Sequence, residues 1–241
     1  MSTNLPTQWE EELAKDAQKI AAAERPALGA ISLRGGIMTY EKQPIPGNKL
    51  SVIIVASMME RRWYKDRFDP NKAASPHCFA FHDGTDGVPW MPHAKSALKQ
   101  SEDCALCPMN SWGSDPGGGK GKACKEVRKL CVMPQTGTGK EMALISIPVM
   151  SVKNWSNYVN GVASGARRPP WGVVTEISVH PNARSQFTVK FDLVELVPED
   201  KLGFIYGKIP LATEILIEPY DVNNPQETLG ESNGGKKNKK Y

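Results

Sequence analysis

Short apolar segments separated by turn residues run through most of the chain, a pattern typical of β proteins. Segments 28–39 and 49–58 are rich in apolar and β-branched residues and predict two strands, separated by a Pro- and Gly-containing stretch at 41–48. Segment 49–58 is almost continuously apolar, as expected for a strand buried on both faces. Four further segments predict strands: 125–133 with 141–149 as a returning pair, and 172–180 with 186–197 as the clearest hairpin.

Helical periodicity is confined to three segments. Segment 8–24 places Trp9 and Leu13 on one apolar face and stops before Pro26. Segments 151–163 and 209–218 predict two further short helices.

One long segment, 69–121, is rich in Gly, Pro, Asp and Ser and has little periodicity. A loop of that length inside a compact domain needs something to hold it in place. From Asp221 onward Asn, Gly, Lys and Glu dominate, and 230–241 is expected to be a disordered tail.

The composition suits a globular chain with many turns. Hydrophobic residues make up 40% of the 241 residues, which is enough to build a core. The net charge of +4 is mild, so only its distribution can indicate a partner. No apolar run is long enough for a membrane helix, and the acidic N-terminal segment lacks the apolar stretch of a secretory signal. We therefore expect a cytoplasmic protein.

These patterns predict a mainly β fold, a β-barrel of the OB-fold type, with a few short helices. The long loop insertion contains four of the chain's five cysteines, residues that commonly bind zinc, so we expect it to be held by zinc. Small β-sandwiches give the same count of strands and turns. The expected organisation is an N-terminal helix at 1–26, an OB-fold-like domain at 27–220 with a zinc-binding insertion at about 69–124, and a flexible basic tail at 221–241.

The cysteines carry the strongest chemical signal. Cys104, Cys107 and Cys124 fall within one short window inside the long loop, and Cys78 lies near its start. Zinc takes four ligands in a tetrahedron, and a Cys-x2-Cys pair supplies two of them from one tight turn. A site formed by these four cysteines would hold the insertion at its base and middle. It would be structural, because a catalytic zinc normally leaves one position open for water and recruits His or Glu.

Other assignments of the cysteines stay open. Cys131 lies in an apolar strand context and is better explained as a small buried residue, although it or one of His77, His82 and His93 could replace Cys78 as a ligand. Free thiols, or a redox pair at 104 and 107, are the alternatives to a metal site. A redox pair usually starts a helix in a βαβ unit, and none is visible here.

Cations are concentrated in two groups near the cysteines. The first holds Arg61, Arg62 and Lys65 around Trp63 and Tyr64, and the second holds Lys120, Lys122, Lys125, Arg128 and Lys129 with only Glu126 opposing them. Cations together with aromatic rings are what unpaired nucleic acid requires, since cations contact the phosphates and rings stack on the bases. A solvated surface, or a role in offsetting the charge of thiolates around zinc, would explain the same residues. The expected DNA contacts are Arg61, Arg62, Trp63, Tyr64, Lys65, Trp112, Lys120, Lys122, Lys125 and Arg128.

No enzyme is predicted from the motifs. The two Gly-Lys runs, at 117–122 and 137–140, fail the spacing of a Walker loop, and neither a Gly-x-Ser-x-Gly elbow nor a His-Glu-x-x-His motif occurs.

Three runs around the cysteines, 78–84, 104–114 and 121–130, resemble a family of bacteriophage proteins that bind single-stranded DNA in replication or recombination and have OB-type cores. The resemblance implies Cys78 as the fourth ligand and an apolar residue, not a ligand, at the position of Cys131. The chain departs from better-known bacterial single-strand binders at its end, which carries lysines where theirs is acidic.

We therefore expect a non-catalytic, zinc-containing protein whose partner is single-stranded DNA, with replication or recombination proteins and further copies of the chain as additional candidate partners. The main alternative is a zinc-containing protein-interaction module of a replication or transcription complex. A nuclease or other metal enzyme is the third hypothesis.

Overall fold

The computed structural model describes residues 28–66, 74–135 and 141–220, together with Trp9, Glu12, Leu13, Lys15 and Asp16, which are helical. The rest of the predicted helix 8–24 and the tail 221–241 lie outside the described residues. Nine strands and two longer helices are described: β1 (Gly29–Ser32), β2 (Thr39–Tyr40), β3 (Gln43–Pro44), β4 (Lys49–Trp63), β5 (Cys78–His82), β6 (Lys125–Pro134), β7 (Ala143–Ile147), α1 (Val149–Gly165), β8 (Val173–Asn182), β9 (Gln186–Leu196) and α2 (Glu199–Leu216).

The strands form one mixed sheet in the order β3-β2-β1-β7-β6-β4-β8-β9. The pair β1 and β7 is parallel, and every other pair is antiparallel. The long strand β4 organises the sheet, because β6 follows one of its edges while β8 and then β5 share the other. A bulge between Ile54 and Ala56 interrupts the pairing of β4 with β6.

The sheet is curled into a half-barrel around its main core. Residues from both ends of the strand order meet in this core, among them Ile31 from β1 and Phe187 from β9. Gly36 lies against Phe187 so closely that a β-carbon there would be 3.3 Å from the Phe187 Cβ. Helix α1 covers the core through Trp155, Tyr158 and Val162, which are spaced three and four residues apart on one helical face.

Helix α2 covers the opposite face of the sheet. Ala212, Ile215 and Leu216 pack on Val55 and Met58 of β4 and form a second apolar cluster. Two elements therefore sandwich the central strands, which explains why the first half of β4 is apolar on both faces.

The mainly β class is confirmed, with differences in particular elements. The returning pair β6–β7 and the hairpin β8–β9 form as predicted. In contrast, β4 runs five residues beyond the predicted segment, β5 lies in the stretch predicted as loop, and α2 begins ten residues before the predicted helix. None of the helices in the described part of the chain is both long and apolar enough to cross a bilayer.

A buried hydroxyl pair links α1 to the sheet and yields a stability prediction. The hydroxyl groups of Tyr158 and Thr175 are 2.5 Å apart, and Thr175 is fully buried. We expect Tyr158→Phe to lower the free energy of unfolding by about 1–3 kcal/mol, because it leaves the Thr175 hydroxyl buried without that partner. Adding Thr175→Val should recover part of the loss, as measured by urea denaturation of the single and double variants. If Tyr158→Phe lowers the free energy of unfolding equally in the wild type and in Thr175→Val, the two hydroxyl groups are not coupled.

Candidate metal centre and nucleic-acid interface

Strand register brings Cys78 and Cys124 to the same end of the sheet. Cys78 is the first residue of β5 and lies opposite Trp63 of β4. On the other edge of β4, Arg62 lies opposite Lys125, the residue that follows Cys124. The two cysteines therefore flank the end of β4, where the loop 83–124 leaves β5 and returns to β6.

Backbone hydrogen bonds hold the Cys104–Cys107 turn beside Cys124. The Cys124 N–H donates to the Met109 carbonyl at 2.8 Å, and the Asn110 N–H donates to the Cys107 carbonyl at 3.0 Å. The side-chain amide of Asn110 donates to the Cys104 carbonyl at 2.8 Å. The turn that carries two thiols is thus tied directly to the strand start that carries a third.

The four thiols are close enough to interact electrostatically. Burial raises the pKa of Cys124 to about 12, and Cys104, Cys78 and Cys107 each add to the rise. Burial likewise raises the pKa of Cys104 to about 11; Arg61 opposes the rise, while Cys78 and Cys107 add to it. A cation placed among these thiols would reverse this effect, because a coordinating thiol loses its proton outright.

The four cysteines suit zinc by their chemistry, although their sulfur atoms are not at the spacing of metal ligands. Among the described residues, no three His, Cys, Asp or Glu side chains converge as closely as metal ligands do. Cys78 and Cys124 flank the base of the loop, and Cys104 and Cys107 form a Cys-x2-Cys turn within it; four cysteines in such an arrangement are a set that structural zinc uses. Zinc would be held by Cys78, Cys104, Cys107 and Cys124.

Cys131 lies apart from these four. It is fully buried in the second apolar cluster, with its sulfur 3.8 Å from the sulfur of Met142. Burial raises the pKa of its thiol to about 12, opposed by Lys129, and none of the other cysteines contributes. This placement agrees with Cys131 as a core residue.

Two of the histidines considered as substitutes already have other partners. The Nδ1 of His82 accepts from the Gly84 N–H at 2.9 Å, and its Nε2 lies 2.9 Å from the Val88 carbonyl. The ring of His93 stacks on Phe79 with centroids 5.0 Å apart. The geometry favours the four-cysteine set over one completed by either ring.

Arg62 is a correction to the expected DNA contacts. Its side chain is 2% exposed and donates to the carboxylate of Glu60, which is fully buried, at 2.6 Å. A guanidinium enclosed in this way has no access to a phosphate, so Arg62 belongs to the interior of the fold. The alternation along β4 explains the error, since Arg62 points to the face covered by α2 while Arg61 points to the cysteines.

Arg61 and Trp63 lie on the same face of β4, and Arg61 is close enough to act on the Cys104 and Cys124 thiols. The Arg61 guanidinium lies 4.1 Å from the ring centroid of Trp90, and its Nε donates to Glu126 at 3.2 Å. Trp63 meets the ring of His77 edge-on, with centroids 6.2 Å apart. Both side chains are partly buried and engaged, so they support the loop as well as facing the surface. Tyr64 is partly buried and interacts electrostatically with Arg62, and Lys65 is exposed.

In the second predicted group, Lys122 pairs with the ring of Trp112 on the loop. Trp112 is 80% exposed, and the Lys122 Nζ lies 5.2 Å from its ring centroid. Lys120 is exposed, whereas Lys125 is paired with Asp115 at 2.6 Å and thus partly neutralised. Arg128 is partly buried, and burial lowers its pKa, opposed by Glu126. Lys120 and Lys122 are therefore the cations best placed for an anionic ligand.

A groove of about 560 Å³ lies next to this pair. Trp112 and Lys122 line one side of it, and Val149 and Met150 from the first turn of α1 line the other. The sequence does not indicate Val149 and Met150 as site residues, because 141–149 resembles one apolar strand and the predicted helix begins only at residue 151. Pro148, which favours a break before a helix, was the available signal.

Comparisons of the chain with protein-family models, with curated proteins and with solved structures found no match.

Proposed function

We propose that this protein binds single-stranded DNA without catalysing a reaction, through an OB-type β core whose long loop is held by a structural zinc ion. The observation that carries the proposal is the exposed Trp112 ring with Lys122 over it, on the loop that contains Cys104 and Cys107. The resemblance of the cysteine segments to phage single-strand binders supports the same function. A role in phage replication or recombination, in the host cytoplasm, follows from it.

The zinc part of the proposal rests on how little else holds the loop. Of residues 83–124, only Pro92, Cys104 and Cys107 are buried. A segment without an apolar core of its own cannot offset the entropy of ordering its backbone. A metal ion bound by four cysteines would supply that stabilisation and fix the loop at the end of β4.

The DNA part rests on the kind of side chains that the loop presents. Trp112 is 80% exposed and so offers an open ring on which bases can stack regardless of sequence. Lys122 lies over this ring, and Lys65 and Lys120 are further exposed cations. This combination predicts binding that tolerates any base and weakens with salt.

A protein-interaction module is the second candidate. The loop also exposes apolar side chains, including Val88, Met91 and Leu106, the last at 81%. Exposed apolar residues on a metal-held loop would suit a protein partner in a replication or transcription complex.

A salt titration with oligo-dT tests the DNA proposal. We expect fluorescence anisotropy to show binding that is strong at low salt, and the logarithm of the affinity should fall linearly with that of the salt concentration. Three phosphate contacts would give a slope of about −2, since single strands contribute about −0.7 per contact. A duplex of the same length should bind more weakly, because its bases are not available for stacking. If oligo-dT produces no anisotropy change even at low salt, the DNA proposal is wrong and the interaction module takes its place.

A further inference from the structure

The groove beside Trp112 exists because two paired strands end at different places. The ladder between β6 and β7 stops at Arg128 opposite Ile147, and the chain then turns at Pro148 into α1. β6 continues in the other direction to Lys125, so its edge at residues 125–127 has no strand partner among the described residues. Lys125, Glu126 and Val127 of this edge line the groove.

The two sides of the groove differ in chemistry. Val149 and Met150 present apolar side chains that are 48% and 63% exposed. The opposite side carries the Trp112 ring, and Lys122 lies over one of its faces, which leaves the other face for a ligand. The volume of about 560 Å³ is within the range of sites for small molecules and single ligand groups.

These features together suit one class of ligand. A nucleobase is flat, stacks on an aromatic ring and carries hydrogen-bonding groups along its edge, which would meet the open strand edge. The phosphates on either side of the base would require cations; Lys122 lines the groove and is partly exposed, and Lys120 is exposed next to Gly121, which also lines it. An extended peptide could also pair with the edge of β6, but it would not need a ring backed by a cation.

We infer that this groove binds one unpaired base of the DNA strand, stacked on Trp112 and packed against Met150, with the adjoining phosphates at Lys120 and Lys122. The inference rests on the proposed function and makes it specific: the first turn of α1, which no motif in the sequence indicated, forms half of the base site.

The test compares Trp112→Ala with a matched control. Phe204 is also an exposed ring with a lysine over it, Lys208 at 5.0 Å, but it lies on α2 outside the groove. We expect Trp112→Ala to weaken binding of oligo-dT about 5- to 100-fold, Trp112→Phe to restore most of the affinity, and Phe204→Ala to change it less than about twofold. Thermal unfolding of each variant checks that the fold is retained.

Two further measurements separate stacking from other effects. An oligonucleotide of abasic residues should bind wild type and Trp112→Ala equally, and Trp112→Ala should leave the salt slope with oligo-dT unchanged, because no phosphate contact is lost. Met150→Glu should weaken binding more than Met150→Leu, since it places a carboxylate in the groove.

The possible outcomes distinguish the two proposals. If wild type does not bind oligo-dT, the proposed function fails. If wild type binds but Trp112→Ala and Met150→Glu behave like Phe204→Ala, the function stands and the base site lies elsewhere. If the groove variants bind oligo-dT normally, and a synthetic peptide competes with oligo-dT for the wild type but not for these variants, the groove is a peptide site and the inference is wrong.

Discussion

Cys104→Ser is expected to abolish stoichiometric zinc binding and to release the loop 83–124 while leaving the hairpin β8–β9 folded. Purified wild type should contain about one zinc per chain, and the variant less than about half. Hydrogen exchange should show loss of protection within the loop, because its backbone hydrogen bonds have little buried apolar surface around them. Residues of β8 and β9 should keep their protection, since their side chains belong to the main core.

The reason for a large effect is the charge and burial of the thiols. Without a metal, Cys104 and Cys124 have pKa values of about 11 and 12, so both are neutral at pH 7. Zinc binding converts such thiols to thiolates and releases their protons, and in small zinc-dependent peptides it contributes about 10 kcal/mol or more to folding. Removing one ligand forfeits much of this stabilisation, and affinity for oligo-dT should fall at least about tenfold as Trp112 and Lys122 lose their fixed placement.

Cys131→Ala is the matched control for this experiment. Cys131 is as deeply buried as any cysteine in the described chain, but it packs in the second apolar cluster, away from the four. Its replacement should lower the free energy of unfolding moderately and leave the zinc content unchanged. Zinc lost from Cys131→Ala but kept in Cys78→Ser would overturn the assignment of ligands. Unchanged shape and DNA affinity after chelation would overturn the role of the metal.

The strands with a clear two-residue or continuous apolar pattern could be predicted from the sequence, whereas buried charges obscure the second half of β4. The first half of β9 alternates because one face is buried in the main core, and β8 is apolar on both faces. The second half of β4 does not read as a strand, since Glu60 and Arg62 occupy inward positions. In the folded protein these buried ions of opposite sign pair with each other. The sequence shows only two charged residues, which do not indicate a buried strand.

The start of α2 could not be predicted from the sequence, because residues that disfavour a helix lie within it. Gly203, Gly207 and Pro210 argue against a helix by propensity, yet the helix runs through all three. Burial of Ile205, Ala212 and Leu216 against the sheet outweighs that local preference. The grouping of the four cysteines could be anticipated from their spacing, whereas the groove could not, because it arises from strand ends that are far apart in the sequence.

The buried charges of β4 lead to the second large effect. Glu60 is fully buried, and Arg62 and Lys129 are both within the same cluster on the α2 side of the sheet. Burial alone favours the neutral acid, but the two cations outweigh it and lower the pKa of Glu60 below its usual value. One carboxylate thus serves two buried cations. Arg62 also donates to Ser146 at 3.2 Å, and the Lys129 ammonium donates to the Leu216 carbonyl at 3.3 Å.

The excess of buried positive charge over negative charge determines the order of the expected losses in the free energy of unfolding. Glu60→Gln should lower the free energy of unfolding by about 3–5 kcal/mol, because it removes the carboxylate that both buried cations share and leaves only the Glu218 carboxylate, among the described residues, acting on Lys129. Arg62→Met should cost less, since Lys129 still offsets Glu60. Glu176→Gln is the control: its ion pair with Lys49 is 3.1 Å long but has side chains exposed to 29% and 57%, so its loss should cost about 1 kcal/mol or less. Urea denaturation measures all three.

The pH dependence of Glu60→Gln distinguishes charge from packing. Burial lowers the pKa of Lys129 below its usual 10.5, while Glu60 opposes that fall. Without Glu60 the pKa of Lys129 drops further, so the folded state binds fewer protons than the unfolded state. Stability of the variant should then rise with pH up to about 10.5. We expect the difference from wild type to narrow between pH 7 and pH 9. A difference independent of pH, or a loss no larger than that of Arg62→Met, would mean that packing rather than uncompensated charge decides the cost.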